Sequence, residues 1–301
     1  MKAFGIPSKQ KSAGHGRGVS EWVDMTSMAA ISNRPNAPVR AVIQETCRVD
    51  LWASFVSDGG KGPPHGIELL DKDDKRRYAR LHLRSDQNRF LTAHILLRLA
   101  LSDAVNGAVR PAEWCFERDE HGKLKSARGL PKLHFSLSHE EQMSVVAVSA
   151  TNPVGIDVEP LPACPVAPPV WSAAAPAERV FLSQESAEDR AHDFLRLWAL
   201  KEAYAKMLGL GHGLDFCSLE VDLARRQLRQ AEIDCKAAFE THMLWCPDDC
   251  YFVALAVGID HPTSIDSRGH LLDLAGASWF TQSEISPQEA VWPKRWKWHW
   301  L

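Results

Sequence analysis

Apolar and polar residues alternate along VRAVIQETCRVDLWASFV, from Val39 to Val56, with the two-residue period of a half-buried strand. The next long segment, DKDDKRRYARLHLRSDQNRFLTAHILLRLALSDAV (71–105), changes period. Its first part is strongly charged, its second places Phe90, Ile95, Leu96 and Leu99 at helical spacing, and the whole reads as helical. EWCFERDEHGKLK then predicts a strand with a glycine turn. KLHFSLSHEEQMSVVAVSATNPVGIDVE predicts two strands joined by a turn and a third after Asn152-Pro153. Six prolines between Pro160 and Pro176 exclude a continuous helix or central strand there. A helix follows over HDFLRLWALKEAYAKMLGLG, closed by Gly209 and Gly211, and then strands over CSLEVDL, AAFETHMLW and YFVALAVG. The order strand, helix, strands, and again helix, strands predicts an α+β protein of two halves of similar plan, without a repeat visible in the letters.

Composition narrows the possibilities. With 301 residues the chain makes one large domain or two smaller ones. A net charge of -3 argues against a general nucleic-acid binder, while leaving room for a local cationic cluster around an anionic small ligand. The seven cysteines are odd in number and irregularly spaced, so reduced thiols in a cytoplasmic protein are expected rather than a disulfide framework. Lys2, Lys9 and Lys11 precede no apolar stretch of secretory type. No run approaches the roughly 20 apolar residues of a membrane span, and Arg98 interrupts the nearest one, ILLRLAL. The first forty residues lack periodicity and read as a flexible extension. The last stretch gathers tryptophans beside lysine and arginine, either to cap the fold or to lie on a partner or membrane surface.

Candidate chemistry begins at GIDVE (155–159). Val154, Ile156 and Val158 share one face of the strand, and Asp157 and Glu159 share the other with Gly155. At an effective dielectric near 20, two unit charges ~4 Å apart cost about 4 kcal/mol. The two carboxylates therefore either relax into solvent or hold something cationic. On the helix, Phe194, Leu197, Trp198, Tyr204 and Leu208 form the apolar stripe. Glu202 and Lys206 lie four apart on one face, beside Ala199 and Ala203, whose small side chains leave room for a ligand. Lys201 falls inside the apolar stripe, where a lysine must reach solvent or meet an anion. Ser138 and His139 end a strand; adjacent strand residues face opposite ways, which suits a ligand contact better than a Ser-His relay.

The ordered set FSLSH, VAVS, VGIDVE and WALKEAYAKMLGLG, with RRYARLHLRSDQNRFLTAHILLR and GKLK upstream, resembles the 4′-phosphopantetheinyl transferases, in particular their larger pseudodimeric type, over residues 45 to 260. The resemblance implies a pseudodimer of two α+β halves with coenzyme A in the cleft between them. The chain then divides into an extension (1–44), an N-terminal half (45–152), a C-terminal half with the metal site (153–262) and a Trp-rich tail (263–301). It implies transfer of the 4′-phosphopantetheine arm of coenzyme A to a serine of an apo acyl or peptidyl carrier protein, with release of 3′,5′-ADP, by a cytoplasmic monomer. Asp157, Glu159 and Glu202 match the family's Mg²⁺ ligands, oxygen donors suited to a hard cation. Glu202, directly or through a water, matches the base for the carrier serine, and Asp157 and Lys206 complete the catalytic set. Arg89, Lys123, Ser138, His139, Lys201 and Lys206 match contacts to coenzyme A, with Arg89 on the 3′-phosphate. Glu140 and Glu141 depart from the family, as do Ser136, Leu124 and the proline-rich stretch. Two acids beside a polyanionic ligand leave an alternative, a weakly active relative that binds carrier proteins or coenzyme A as a module. A metal-dependent hydrolase using the same acids is a third reading.

Overall fold

The structure is a computed structural model that describes residues 46–56, 66–140, 142–161, 173–222, 227–230, 233–245, 250–260, 264–272, 274 and 297–300. The expected N-terminal extension, the middle of the proline-rich stretch and most of the Trp-rich tail lie outside the described residues.

Strand β1 (Thr46–Phe55) opens the fold as its alternation predicts, with Cys47, Val49, Leu51 and Ala53 buried on one face and Trp52 on the other. The segment expected to be one helix is two: α1 (Lys72–Tyr78) and α2 (Arg84–Ala104). Asp71 caps α1, accepting from the backbone N–H groups of Asp73 and Asp74. In one unbroken helix Asp74 and Arg98 would stand ~36 Å apart at 1.5 Å per residue. The break folds α1 back, so that Arg98 donates to Asp74 at 2.9 Å and to Asp71 at 3.1 Å. A fully buried guanidinium needs such partners, and this need selects the broken form.

The hairpin β2 (Phe116–Arg118) and β3 (Leu124–Ser126) turns at Gly122, whose φ of 87° suits glycine. Next come β4 (His134–His139), β5 (Met143–Ser149) and β6 (Val154–Pro160). Helix α3 (Pro176–Gln184) precedes α4 (Ala187–Leu208), which ends at Gly209 with φ 76°. A small sheet of β7 (Leu219–Asp222), β8 (Gln227–Gln230) and β9 (Ile233–Asp234) leads to the antiparallel pair β10 (Ala237–Trp245) and β11 (Cys250–Gly258). The turn joining that pair lies outside the described residues.

Two four-stranded sheets result. Strand β12 (Ser264–Leu272) heads the first, ordered β12-β1-β5-β4. Strand β13 (Lys297–Trp300) heads the second, ordered β13-β10-β11-β6. The winding repeats: the first strand of each half pairs with the second strand of a later hairpin, and a long helix lies between them in sequence. The sheets pack face to face through β1, β5, β6 and β11, where Val145, Ala147, Ile156, Val158, Val253 and Leu255 are fully or almost fully buried. Alternate residues of the same strands face outward onto the helices. Trp52, Val146 and Val148 meet α2, and Phe252, Ala254 and Ala256 meet α4. The layers therefore run helix, sheet, sheet, helix. The chain was expected to end in a tail from residue 263, but Ser264–Leu272 forms β12, paired in parallel with β1 over nine residues.

Candidate active site

The site forms where the edge strands of the two sheets, β4 and β6, run beside α4. Ser136 on β4 accepts a hydrogen bond from the Ile156 backbone N–H at 3.2 Å, and Ser138 donates to Asp157 at 2.9 Å, so two serines stitch the seam. Gly155 lets α4 approach. A Cβ at this position would lie 1.9 Å from the Ala203 carbonyl oxygen and 2.4 Å from the Met207 nitrogen. Ala199 and Ala203, expected to leave room for a ligand, are fully buried; the space their small side chains leave is taken by the strand. With Val154, Ile156 and Val158 in the inter-sheet core, Asp157 and Glu159 face the helix side, as the alternation predicts.

Lys206, one turn from the end of α4, donates to Asp157 Oδ1 at 2.5 Å and to Ser138 Oγ at 2.7 Å. The other oxygen, Asp157 Oδ2, is buried without a hydrogen-bond partner among the described residues. Burial pushes the Asp157 carboxyl up, against the pull of Lys206 and Ser138. Glu159 is pushed up to about 8, first by burial and then by the charges of Asp157 and Glu140; a hydrogen bond from Trp198 and the charge of Lys206 oppose this. At the strand end, ionising both carboxyls therefore costs more than their protein partners compensate.

An orphaned buried carboxylate oxygen beside a second, crowded carboxylate suits a small divalent cation by donor chemistry. Asp157 and Glu159 are the residues that fit it. Among the described residues, however, no three His, Cys, Asp or Glu side chains are gathered so as to hold a metal ion. Glu202 is half-buried one turn before Lys206, on the same helix face.

Beside this cluster lies a cavity of about 400 Å³. Its walls come from α2 (Phe90, His94), the β2–β3 hairpin (Arg118 and His121 to Leu124), β4 (Phe135 to Leu137, His139) and the end of α4 (Lys206, Gly209), with Arg77 from α1. Four lysines or arginines and three histidines line it, with no aspartate or glutamate. Such a lining favours a polyanion. His139 is held below the usual imidazole range by crowding and by the charges of Arg89, Lys206 and His94.

The expected site residues fare differently. Lys206, Lys123 and His139 line the cavity, and Ser138 touches Lys206. Arg89 is not in the wall and pairs with Asp86 on its own helix. Lys123 turns its ammonium to the carbonyls of Lys206 at 2.5 Å, Met207 at 2.8 Å and Val154 at 3.4 Å, so it caps α4. Burial lowers Lys123 to about 8. Lys201, expected to contact phosphate, is elsewhere. It is 1% exposed and donates to Glu178 at 2.6 Å and to the carbonyls of Phe216 and Ala173. The anion it needed within the apolar stripe is internal, and its three donors are used. Sequence reasoning passed over Arg77, Arg118 and His94; the basic run KRRYAR was the available signal for the first.

A family model of the 4′-phosphopantetheinyl transferase superfamily matches residues 153–247, the segment from β6 through α4 to β10. A 4′-phosphopantetheinyl transferase of Bacillus subtilis is 29% identical over 159 residues, covering 52% of this chain and 68% of the relative. The 4′-phosphopantetheinyl transferase HetI of Nostoc is 29% identical over 198 residues, covering 62% and 78%. The 4′-phosphopantetheinyl transferase Sfp of Bacillus subtilis strain 168 is 26% identical over 164 residues, covering 52% and 68%. The GIDVE strand and the WALKEAYAK helix, which build the seam and its acid–lysine cluster, both fall within the matched segment, and over that segment the chain is similar to the 4′-phosphopantetheinyl transferase superfamily.

Proposed function

We propose that the enzyme transfers the 4′-phosphopantetheine arm of coenzyme A to a serine of an apo acyl or peptidyl carrier protein, releasing 3′,5′-ADP, with Mg²⁺ held at Asp157 and Glu159 and completed by Glu202. The single observation that carries this reading is a cavity lined by cationic and histidine side chains, free of acids, that ends at the Lys206–Asp157 pair. A nucleotide diphosphate needs the first part, and a hard cation beside its phosphates needs the second. The repeated winding of the two sheets, and a cavity walled from both halves, support a pseudodimer with coenzyme A between them. The enzyme works in the cytoplasm as a monomer in this reading.

Each side chain then has a task. The carrier serine loses its proton to Glu202, its oxygen bonds to the phosphorus of the arm, and the bond from that phosphorus to 3′,5′-ADP breaks. Lys206, which lines the cavity, donates to the leaving phosphate oxygen. Lys123 fixes the last turn of α4 by its carbonyls and so fixes the backbone from which Lys206 extends. Bound Mg²⁺ would neutralise the carboxylates and stabilise charge developing on the departing phosphate. The test is incubation with Mg²⁺, coenzyme A and an apo carrier protein, followed by intact mass spectrometry of the carrier. Mass addition of one phosphopantetheine supports the proposal; an unmodified carrier, or coenzyme A hydrolysed without a carrier, overturns it.

A further inference from the structure

The wall of the cationic cavity contains one histidine that is tied to a buried charge network. His94 on α2 is 5% exposed, and its Nδ1 lies 2.8 Å from Asp74 Oδ2. The same carboxylate oxygen accepts from Arg98 at 2.9 Å, and Arg98 is itself fully buried and bonded to the His94 carbonyl at 3.1 Å. Phe90, one turn earlier, stacks on the imidazole with ring centroids 4.0 Å apart. These contacts fix the ring plane. The carboxylate requires Nδ1 to carry a proton, so the open position is Nε2. Nε2 makes no hydrogen bond among the described residues, and the ring lines the cavity.

The charges around the ring oppose one another. Asp74 from α1 favours an imidazolium; Arg98 from α2 and Arg118 from β2 disfavour it, and His139 on β4 lies near enough to feel it. Burial tips the balance, and the ring of the free protein stays neutral at pH 7. A neutral Nε2 is an acceptor only, in a wall whose lysines and arginines are all donors. A phosphate oxygen has no proton to give it at neutral pH, so one of the two must change state when a phosphate enters. The group best placed to change is an imidazole that already has a carboxylate behind it.

We propose that Asp74 and His94 form a phosphate-reading dyad in the cavity: His94 takes a proton from solvent as a phosphate-bearing ligand binds, and its Nε2–H donates to a phosphate oxygen. Asp74 keeps Nδ1–H, so the chain carboxylate, imidazolium, phosphate alternates in charge. The proposal rests on the reading of this cavity as the nucleotide site and adds the residue that couples occupancy to proton uptake. Binding between the free and the occupied titration ranges of His94 should therefore weaken as pH rises, by about tenfold per pH unit from this group alone.

The experiment is calorimetric titration of the full chain with 3′,5′-ADP at pH 7, in buffers of low and high ionisation enthalpy, repeated from pH 6 to pH 8, for wild type and His94→Gln. The expected result is net proton uptake in wild type. His94→Gln should show smaller uptake and an affinity that falls less steeply with pH. Equal uptake and equal slopes in the two proteins overturn the proposal. Should His94→Gln fail to fold, the ring ¹³C and ¹⁵N shifts of His94 in wild type decide. A change from neutral imidazole to imidazolium at saturation supports the dyad, and an unchanged neutral ring overturns it. Wild type that binds no 3′,5′-ADP defeats the nucleotide-site reading itself and the dyad with it. Binding without a proton defeats the dyad alone.

Discussion

Gly155 of β6 and Ala203 of α4 lie closer than any side chain on the strand would allow: a Cβ on Gly155 would come within 1.9 Å of the Ala203 carbonyl oxygen. The obstacle is helix backbone and cannot rotate aside. Gly155→Ala should therefore push α4 outward, with Glu202 and Lys206 on it. We expect a loss of about 1–3 kcal/mol or more in urea unfolding. We also expect a fall in transfer rate larger than that stability loss explains. A variant as stable and as active as wild type would show that helix and strand do not need this contact.

Asp157→Ala and Glu202→Ala should each abolish carrier modification while the chain stays folded by circular dichroism. Asp157 is a buried acid with an unpartnered oxygen, so it contributes little to stability for the charge it carries. Asp157→Asn is expected to remain within about 1 kcal/mol of wild type in stability and to lose transfer. Full transfer rates in both alanine variants would remove the cation from the mechanism.

Removing divalent metal with a chelator should stop transfer without unfolding the chain, and added Mg²⁺ should restore it. Because Mg²⁺ would bind only the folded site, saturating amounts should raise the melting temperature. The rise should vanish in Asp157→Ala. Thermal shift with and without Mg²⁺ reads this apart from catalysis.

Lys201 separates a structural lysine from a phosphate-binding one. Lys201→Ala leaves Glu178 buried and unpaired among the backbone groups it also serves, Ala175 and Val221. The expected cost is about 3–5 kcal/mol. Transfer by the fraction still folded at low temperature should keep the wild-type KM for coenzyme A. A raised KM with unchanged stability would return Lys201 to the phosphate site.

Asp74 sets an acid limit on the fold. Burial opposes its ionisation, but the hydrogen bonds and charges of His94 and Arg98 outweigh that and hold it at about 2, below the usual aspartate range. Its folded range lies below its unfolded one, so its contribution is complete above about pH 4 and is lost as pH falls toward 2. The size is about 2 kcal/mol. Urea midpoints at descending pH should fall through this window in wild type and fall less in Asp74→Asn.

Much of this architecture was legible because alternation and helical spacing are local. The strands β1, β4, β5, β6, β10 and β11 and the helix α4 follow from period and from glycine caps, and the placing of Asp157 and Glu159 opposite Val158 follows from the pleat alone. The broken helix was not legible. Nothing within 71–105 announces that Arg98 will be buried, and only that burial calls Asp74 back to it. Lys201 was half legible: its position in an apolar stripe signalled a need for an anion, but Glu178 lies 23 residues away on another helix. The alanines of α4 were misjudged for the same reason, because what fills the space beside a small residue depends on which strand arrives there. His94 gave no signal at all, since a histidine on an apolar helix face becomes informative only when a carboxylate and a cavity are found on either side of it.

The strand β12 follows the second sheet's hairpin in sequence, yet it joins the first sheet and runs parallel to β1 through nine paired residues. The two halves are thus buckled together after the second has been built. A strand that follows the second sheet's hairpin in the chain is thus bound into the first sheet's ladder, so the seam holding Ser138, Asp157 and Lys206 should be lost in a single cooperative event, not loosened by one half melting first.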